Sequence, residues 1–363
     1  MIPADAALAR LEIDLASIAA NWRRLRVLDP AGATAGVVKA DAYGLGAAQV
    51  APALYAAGCR HFFTAHLAEA VAIRRLVPAA MVAVLNGMPA GGEGDFVAHG
   101  ILPVLGTPGE IARWGGLARR LGRALPALLH VDTGMNRLGL DAGQVSRLAA
   151  DPDPLDGIDL HYVMTHLVAS EVADDPMNAA QRDRFAAACA AWPAVPRSFA
   201  NSSGMFLGIG WASDLARPGA ALYGINPTPG QPNPMRPVVR LMARVLALRD
   251  VPAGASVGYN STWIATRPSR IATVGVGYAD GWHRRHSGRG HAIFDGARVP
   301  LVGRVSMDLA TFDATDHSGL REGAWLELIG PWRPVDDVAE TAGTNGYEVL
   351  TSLGRRYHRV WSS

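Results

Sequence analysis

The stretch TAGVVKADAYGLGAAQVAPALYAAG, residues 34–58, holds one complete structural unit. An apolar run, TAGVVK (34–39), reads as a buried strand. A short turn with Gly44 and Gly46 comes next, and AAQVAPALYAAG (47–58) has the spacing of an amphipathic helix. The unit recurs down the chain. Further strand-like runs are HFFTA (61–65), MVAVLN (81–86), ILPVLG (101–106), ALLHVD (127–132), LHYVMTH (160–166), RSFANS (197–202) and ARPGAALYG (216–224), the last interrupted by Pro218. Helical patterns such as MNAAQRDRFAAACAAW (177–192) lie between several of them. Eight strands alternating with helices predict an α/β fold, a (β/α)8 barrel. A doubly wound sheet is the competing fold, but no GxGxxG follows the first strand.

TPGQPNPMRP (228–237) reads as a linker, and the pattern changes after it. Short β-branched segments with Gly and Pro turns, among them SRIATVGVGYADG (269–281), HAIFDGARVPLVGRVSMDLATF (291–312) and AWLELIG (324–330), predict a mostly-β second domain, a small barrel. The expected division is a barrel over 1–232 and a β domain over 233–363.

Composition narrows the function. The 363 residues are 49% hydrophobic and 18% charged, with a net charge of +2, the profile of a soluble globular protein with no basic stripe for nucleic acid. Cys59 and Cys189 are the only cysteines, too far apart for a thiol motif or zinc site. The N-terminal sequence lacks the pattern of a signal peptide, and no apolar run reaches the roughly 20 residues of a membrane span. A cytoplasmic, reducing location is the expectation.

Lys39 is the sole lysine among 34 Lys and Arg residues. Arginine replaces lysine wherever charge alone matters, but it cannot lose its proton near neutral pH and so cannot act as an amine nucleophile. A barrel gathers its active site at the C-terminal ends of its strands. Lys39 ends the first strand, with Asp41 and Tyr43 beyond it. Asp132, Thr133, Asn136 and Arg137 follow the fifth strand, His166 ends the sixth, Asn201, Ser202, Ser203 and Gly204 follow the seventh, and Arg217 and Gly219 lie in the eighth. A lysine, arginines, hydroxyls and a glycine turn suit a phosphorylated aldehyde cofactor, with the amine supplying an imine and bare N–H groups holding the phosphate.

VVKADAYGLG, HVDTGMNRLGL, THL, ANSSG, ARPGAALYGINP, GYADG, GRVSMD and GYEVLTSLGRRY resemble, in order over nearly the whole chain, the signatures of the alanine racemase family. The resemblance implies pyridoxal 5'-phosphate, alanine as substrate, D-alanine supplied to a bacterial wall or taken into catabolism, and a head-to-tail homodimer with shared active sites. By similarity Lys39 carries the cofactor and is one catalytic base. Tyr259, in VGYNSTW, is the second, reaching in from the other subunit beside His166. Racemisation removes a proton from one face of Cα and returns one to the other, so two bases must flank it. Arg217 resembles the residue on the pyridine nitrogen, where an always-charged guanidinium leaves that nitrogen unprotonated. Tyr43, Asn201, Ser202, Gly219, Ala220 and Tyr347 are implied at the cofactor, mainly at its phosphate. Arg137, Met307, Asp308 and Tyr278 are implied at the substrate and the entrance. One position departs: many members have a lysine, carbamylated in some, where this chain has His130, so that modification is impossible here and the orientation of Arg137 needs another cause.

Residue types alone also allow plainer readings. His130 alternates with apolar neighbours like a core histidine. His283, His286 and His291 sit in WHRRHSGRGH, read as a solvated loop because carboxylates and cysteines at ligand spacing are missing. Rival functions are a racemase of another small amino acid such as serine, a barrel-type decarboxylase, a non-catalytic carrier of the cofactor, and a class I aldolase using Lys39 alone.

Overall fold

The computed structural model describes residues 6–29, 31–211 and 213–363. It divides into two compact units, one of Ile18–Leu222 with Asn226–Met235, the other of Met1–Ser17, Tyr223–Ile225 and Arg236–Ser363.

In the first unit, seven parallel strands run in sequence order: Gly36–Val37, His61–Thr64, Met81–Val84, Leu102–Leu105, Leu125–His130, Ile158–Met164 and Arg197–Ser198. Most of their residues are buried, as expected for parallel strands with helices on one face and a packed interior on the other. Leu215–Ala216 is the eighth strand. It pairs in parallel with Ala33–Thr34 just ahead of the first, while the Arg217 N–H donates to the Ala200 carbonyl at 2.8 Å, and these links close the barrel.

The eighth strand is shorter than the run 216–224 expected from sequence. Pro218 has no N–H to offer a neighbour, and Ala220–Tyr223 instead forms a 3₁₀ turn. The helix expected at 47–58 spans Ala47–Ala56, and the one expected at 177–192 spans Pro176–Cys189, begun by Asp175 accepting the Met177 N–H. No helix among the described residues is long and apolar enough to cross a membrane.

The second unit is built on strands Ser269–Val274, Ala310–Asp313, Ala297–Val302, His291–Phe294, Trp325–Ile329 and Val239–Val251, adjacent in that order. The last pairs back onto the first, closing a small barrel of six strands. Ala9–Asp14 and His358–Ser362 extend its sheet. A division at residue 232 therefore misplaces the N-terminal strand, whose alternating burial fits an antiparallel partner in the second sheet. Two helices, Val335–Ala342 and Gly346–Ser352, also interrupt what the sequence presents as continuous β structure.

Candidate active site

Lys39 stands just past the first barrel strand, where the backbone takes an unusual course. Ala40, Asp41, Ala42 and Tyr43 have φ of 52°, 53°, 54° and 56°, one turn of left-handed helix without a glycine. Each such residue costs roughly 1–2 kcal/mol, so surrounding bonds must hold the turn. It leaves through Gly44 and Gly46, which take positive φ freely. Burial lowers the pKa of the Lys39 amine, the Arg137 guanidinium lowers it further, and Glu69 opposes them. A lysine in this state gives up its proton more readily than an exposed one.

The left-handed turn buries Tyr43 against Gly219 so closely that a Cβ on Gly219 would lie 2.2 Å from the Tyr43 Oη. Burial raises the phenol's pKa, so the hydroxyl keeps its proton and can donate. Ser202 Oγ accepts from the N–H groups of Gly219 at 3.0 Å and Ala221 at 3.2 Å, which leaves its own hydrogen free to point elsewhere. Tyr43, Ser202 and the Ala220 N–H thus form a cradle of donors that only a glycine at 219 permits.

Arg217 is 4% exposed. Its guanidinium donates to Ser198 Oγ at 2.6 Å and to the Thr165 carbonyl at 2.5 Å. Burial brings its pKa down to about 10, still charged at neutral pH. His166 is held down to about 3 by burial, then by Arg217, Lys39 and Arg137. His130 is held down to about 4 by burial and Arg217, with Asp132 opposing. Both imidazoles are therefore neutral near pH 7, and the barrel mouth keeps an excess of positive charge suited to a phosphate.

The loop carrying Arg137 is set by its backbone. Asp132 Oδ1 accepts from Gly134 and Met135, both at 2.9 Å, and Asn136 has φ of 55°. Arg137 is exposed and has no hydrogen bond to another described residue. The Asp132 turn fixes the backbone that leads into Arg137 and makes no contact with its guanidinium, and the histidine at 130 is neutral. Asn201 accepts through Oδ1 from Ser170 Oγ at 2.9 Å and the Gly204 N–H at 2.8 Å, so that oxygen secures the loop after the seventh strand.

Gln181 escapes a reading by motifs. Fully buried on the helix Pro176–Cys189, it donates to Thr133 Oγ1 at 3.0 Å and to the His166 carbonyl at 2.9 Å, and accepts from the Val168 N–H at 2.8 Å. It ties the loops after the fifth and sixth strands together. Its only sequence signal is a polar side chain on the buried face of an amphipathic helix. A recess of about 760 Å³, lined by Arg182, Arg197, Phe199 and Asp214 among others, opens near the N-terminal ends of the strands and holds none of the candidate residues.

In the second unit, Tyr278, Met307 and Asp308 come together. The Tyr278 N–H donates to the Ser306 carbonyl at 3.0 Å and the Ala279 N–H to Met307 at 2.9 Å. Arg356 bridges Asp308 and the buried Asp280, each at 2.7 Å. Tyr259 is 65% exposed on a tight turn with Gly258, Asn260 and Ser261 at positive φ. Beside that turn lies a basic recess of about 510 Å³ with Thr262, Trp263, Arg284 and Arg304 in its wall, which the motifs did not single out. Tyr347 lies on the helix Gly346–Ser352, begun by Asn345. The histidine loop differs from its expected solvation: His286 is 1% exposed and stacks on Trp282 at 4.2 Å, because its ring completes an apolar layer.

A (β/α)8 barrel with a half-buried lysine amine and a cradle of donors at its mouth, in one chain with a small β barrel, defines a class of protein built to hold an anionic carbonyl cofactor. Comparison with known proteins narrows the class. Residues 13–227 match the alanine racemase N-terminal domain family and residues 238–361 the alanine racemase C-terminal domain family. The chain is 57% identical over 353 residues to an alanine racemase of Acidiphilium cryptum, covering 97% of this chain and 98% of that one. It is 49% identical over 357 residues to a catabolic alanine racemase of Mesorhizobium japonicum, covering 98% and 93%. The crystal structure of alanine racemase from Bartonella henselae with covalently bound pyridoxal phosphate superposes with a TM-score of 0.95 at 41% identity, over 98% of this chain and all of that one. The chain belongs to the alanine racemase family.

Proposed function

We propose that this protein interconverts L- and D-alanine using pyridoxal 5'-phosphate attached to Lys39, as a cytoplasmic homodimer whose sites are each completed by the partner. The observation that carries the reading is the only lysine of the chain, its amine pKa lowered, at a barrel mouth beside the Tyr43, Ser202 and Gly219 cradle. That cradle fits a phosphate in donor character, and the cationic surroundings fit its charge. When bound, the cofactor supplies an electron sink that acidifies the substrate Cα–H.

The residues divide the remaining work. Tyr43, Ser202 and the Ala220 N–H would grip the phosphate where Gly219 leaves room for it, and the family resemblance adds Tyr347 as a further donor. Asn201 acts beside them through its loop. Arg217, fixed by Ser198 and Thr165, would serve as an obligate hydrogen-bond donor toward the pyridine nitrogen and so disfavour its protonation. Arg137 would steady the phenolic oxygen and the substrate carboxylate. Lys39 would move the proton on one face of Cα and the partner's Tyr259 on the other, with His166 and Arg217 as supporting groups by family resemblance. Met307, Asp308 and Tyr278 bound the approach to the partner's site and limit it to small side chains. The exposure of Tyr259, Tyr278 and Met307 in a single chain supports an assembly that covers them.

The test is incubation of the purified protein and cofactor with L-alanine, then chiral chromatography. Approach to equal amounts of the two enantiomers is expected. A yellow, dimeric protein that forms no D-alanine but racemises serine would replace the substrate assignment, and a colourless protein would refute the cofactor assignment.

A further inference from the structure

The left-handed turn after Lys39 is held from a neighbouring helix. Glu69 is the third residue of the helix Leu67–Arg74. Its Oε1 accepts the Ala40 N–H at 2.6 Å, and its Oε2 accepts the N–H groups of Ala65 at 2.8 Å and His66 at 3.1 Å. One carboxylate therefore fastens the start of its own helix to the peptide directly after Lys39. At the far side of the turn, Asp41 Oδ1 accepts the Ala47 N–H at 2.7 Å and the Asp41 carbonyl accepts from Gly46 at 2.9 Å.

The same device recurs elsewhere in the barrel. Glu110, third in the helix Pro108–Leu121, accepts the Met88 N–H at 2.7 Å through one oxygen. Its other oxygen accepts the Gly106 N–H at 2.9 Å and Thr107 Oγ1 at 3.1 Å. Each glutamate staples its own loop to the loop after the preceding strand. They differ in what that earlier loop carries. At Glu110 it carries no candidate residue, and at Glu69 it carries Lys39 and, through the strained turn, Tyr43.

We propose that Glu69 is a positioning residue for cofactor attachment, its carboxylate fixing the Ala40 peptide so that the Lys39 amine and the Tyr43 hydroxyl enter the barrel mouth in a set relation. The inference rests on the reading of Lys39 as the attachment residue. Attachment joins the amine nitrogen to the cofactor's aldehyde carbon with loss of water. It needs the amine near the carbonyl while the phosphate is gripped, so a turn that orients both groups at once lowers the entropic cost of the step. A carboxylate can serve donors on both oxygens. Glutamine cannot, because its amide nitrogen would face an N–H, and aspartate is one methylene too short to span both loops while it can still serve its own helix.

The experiment compares apo forms of the full-length wild type, Glu69→Gln, Glu69→Asp and Glu110→Gln. Pyridoxal 5'-phosphate is titrated into each, tracking the absorption of the attached cofactor, with thermal midpoints measured in parallel. Loss of one charge-assisted bond predicts cofactor affinity about tenfold or more weaker in both Glu69 variants. Glu110→Gln should lower the thermal midpoint comparably and leave affinity within about twofold, by the same bond arithmetic. If Glu69→Gln does not fold, Glu69→Asp decides, because it retains the cap on its own helix. Wild-type affinity in Glu69→Asp, or an equal loss of affinity in Glu110→Gln, would overturn the inference. Failure of the wild type to attach the cofactor would instead overturn the reading of Lys39 and this inference with it.

Discussion

Replacing Gly219 by alanine puts one methyl group where the structure has no room for it. The added Cβ would lie 2.2 Å from Tyr43 Oη, 3.0 Å from Cζ and 3.3 Å from Cε2. Ordinary contact begins near about 3.4 Å, so the ring must move by about an ångström at its tip. It cannot do so freely, because Tyr43 is 8% exposed and its backbone is fixed in the left-handed turn. Overpacking of this kind costs roughly 1–3 kcal/mol. In its proposed role a displaced Tyr43 would also forfeit a charge-assisted bond to the phosphate, about 1.5–3 kcal/mol, or roughly 10- to 100-fold in cofactor affinity. Titration of the apoprotein with pyridoxal 5'-phosphate measures the loss directly. Tyr43→Phe gives the control, since removing Oη removes most of the clash. The double variant should bind the cofactor about as well as Tyr43→Phe alone, a non-additivity expected of groups in contact. Affinity within twofold of wild type in Gly219→Ala, or strictly additive losses in the double variant, would refute this account of the cradle.

Mixing inactive Lys39→Ala and Tyr259→Phe subunits should restore activity, because a hybrid dimer holds one site with an intact Lys39 and the partner's intact Tyr259. Random exchange predicts recovery of about one quarter of the wild-type activity, and no recovery after demonstrated subunit exchange would refute the shared site. Arg217→Glu should raise the pyruvate formed per racemisation, measured by coupled assay, since a carboxylic acid protonates the ring nitrogen that arginine leaves bare; an unchanged ratio would contradict that role. His166 and His130, at about 3 and about 4 in the folded chain, titrate near 6.5 when unfolded. Below pH 6.5 the unfolded state binds more protons, so stability falls as pH drops toward 4. His166→Asn should recover about 3 kcal/mol at pH 4 relative to its effect at pH 8, read from urea midpoints, and parallel pH profiles would sink the assignment.

Much of the barrel was legible because parallel strands are buried on both faces and appear as uninterrupted apolar runs, as in HFFTA and MVAVLN. Lys39 was legible for a chemical reason, since it is the one position where this chain keeps an amine. The residues ADAY carried no such signal. Their composition is that of an ordinary right-handed helix, and the left-handed turn exists because Glu69 and Asp41 bind its two sides. The eighth strand looked longer than it is because apolar residues continue past Pro218 into a 3₁₀ turn.

The order of strands and helices, the position of the one amine at a strand end and the change to a β-rich C-terminal half follow from the sequence alone, because each depends on local periodicity and residue chemistry. Tertiary structure alone decided that Ala9–Asp14 joins the sheet of the C-terminal unit, that Gln181 ties the loops bearing Thr133 and His166, and that Glu69 fastens the peptide after Lys39. Each of those bonds joins residues distant in sequence, and a hydrogen bond or a strand pairing across such a distance leaves no period in the chain to be read.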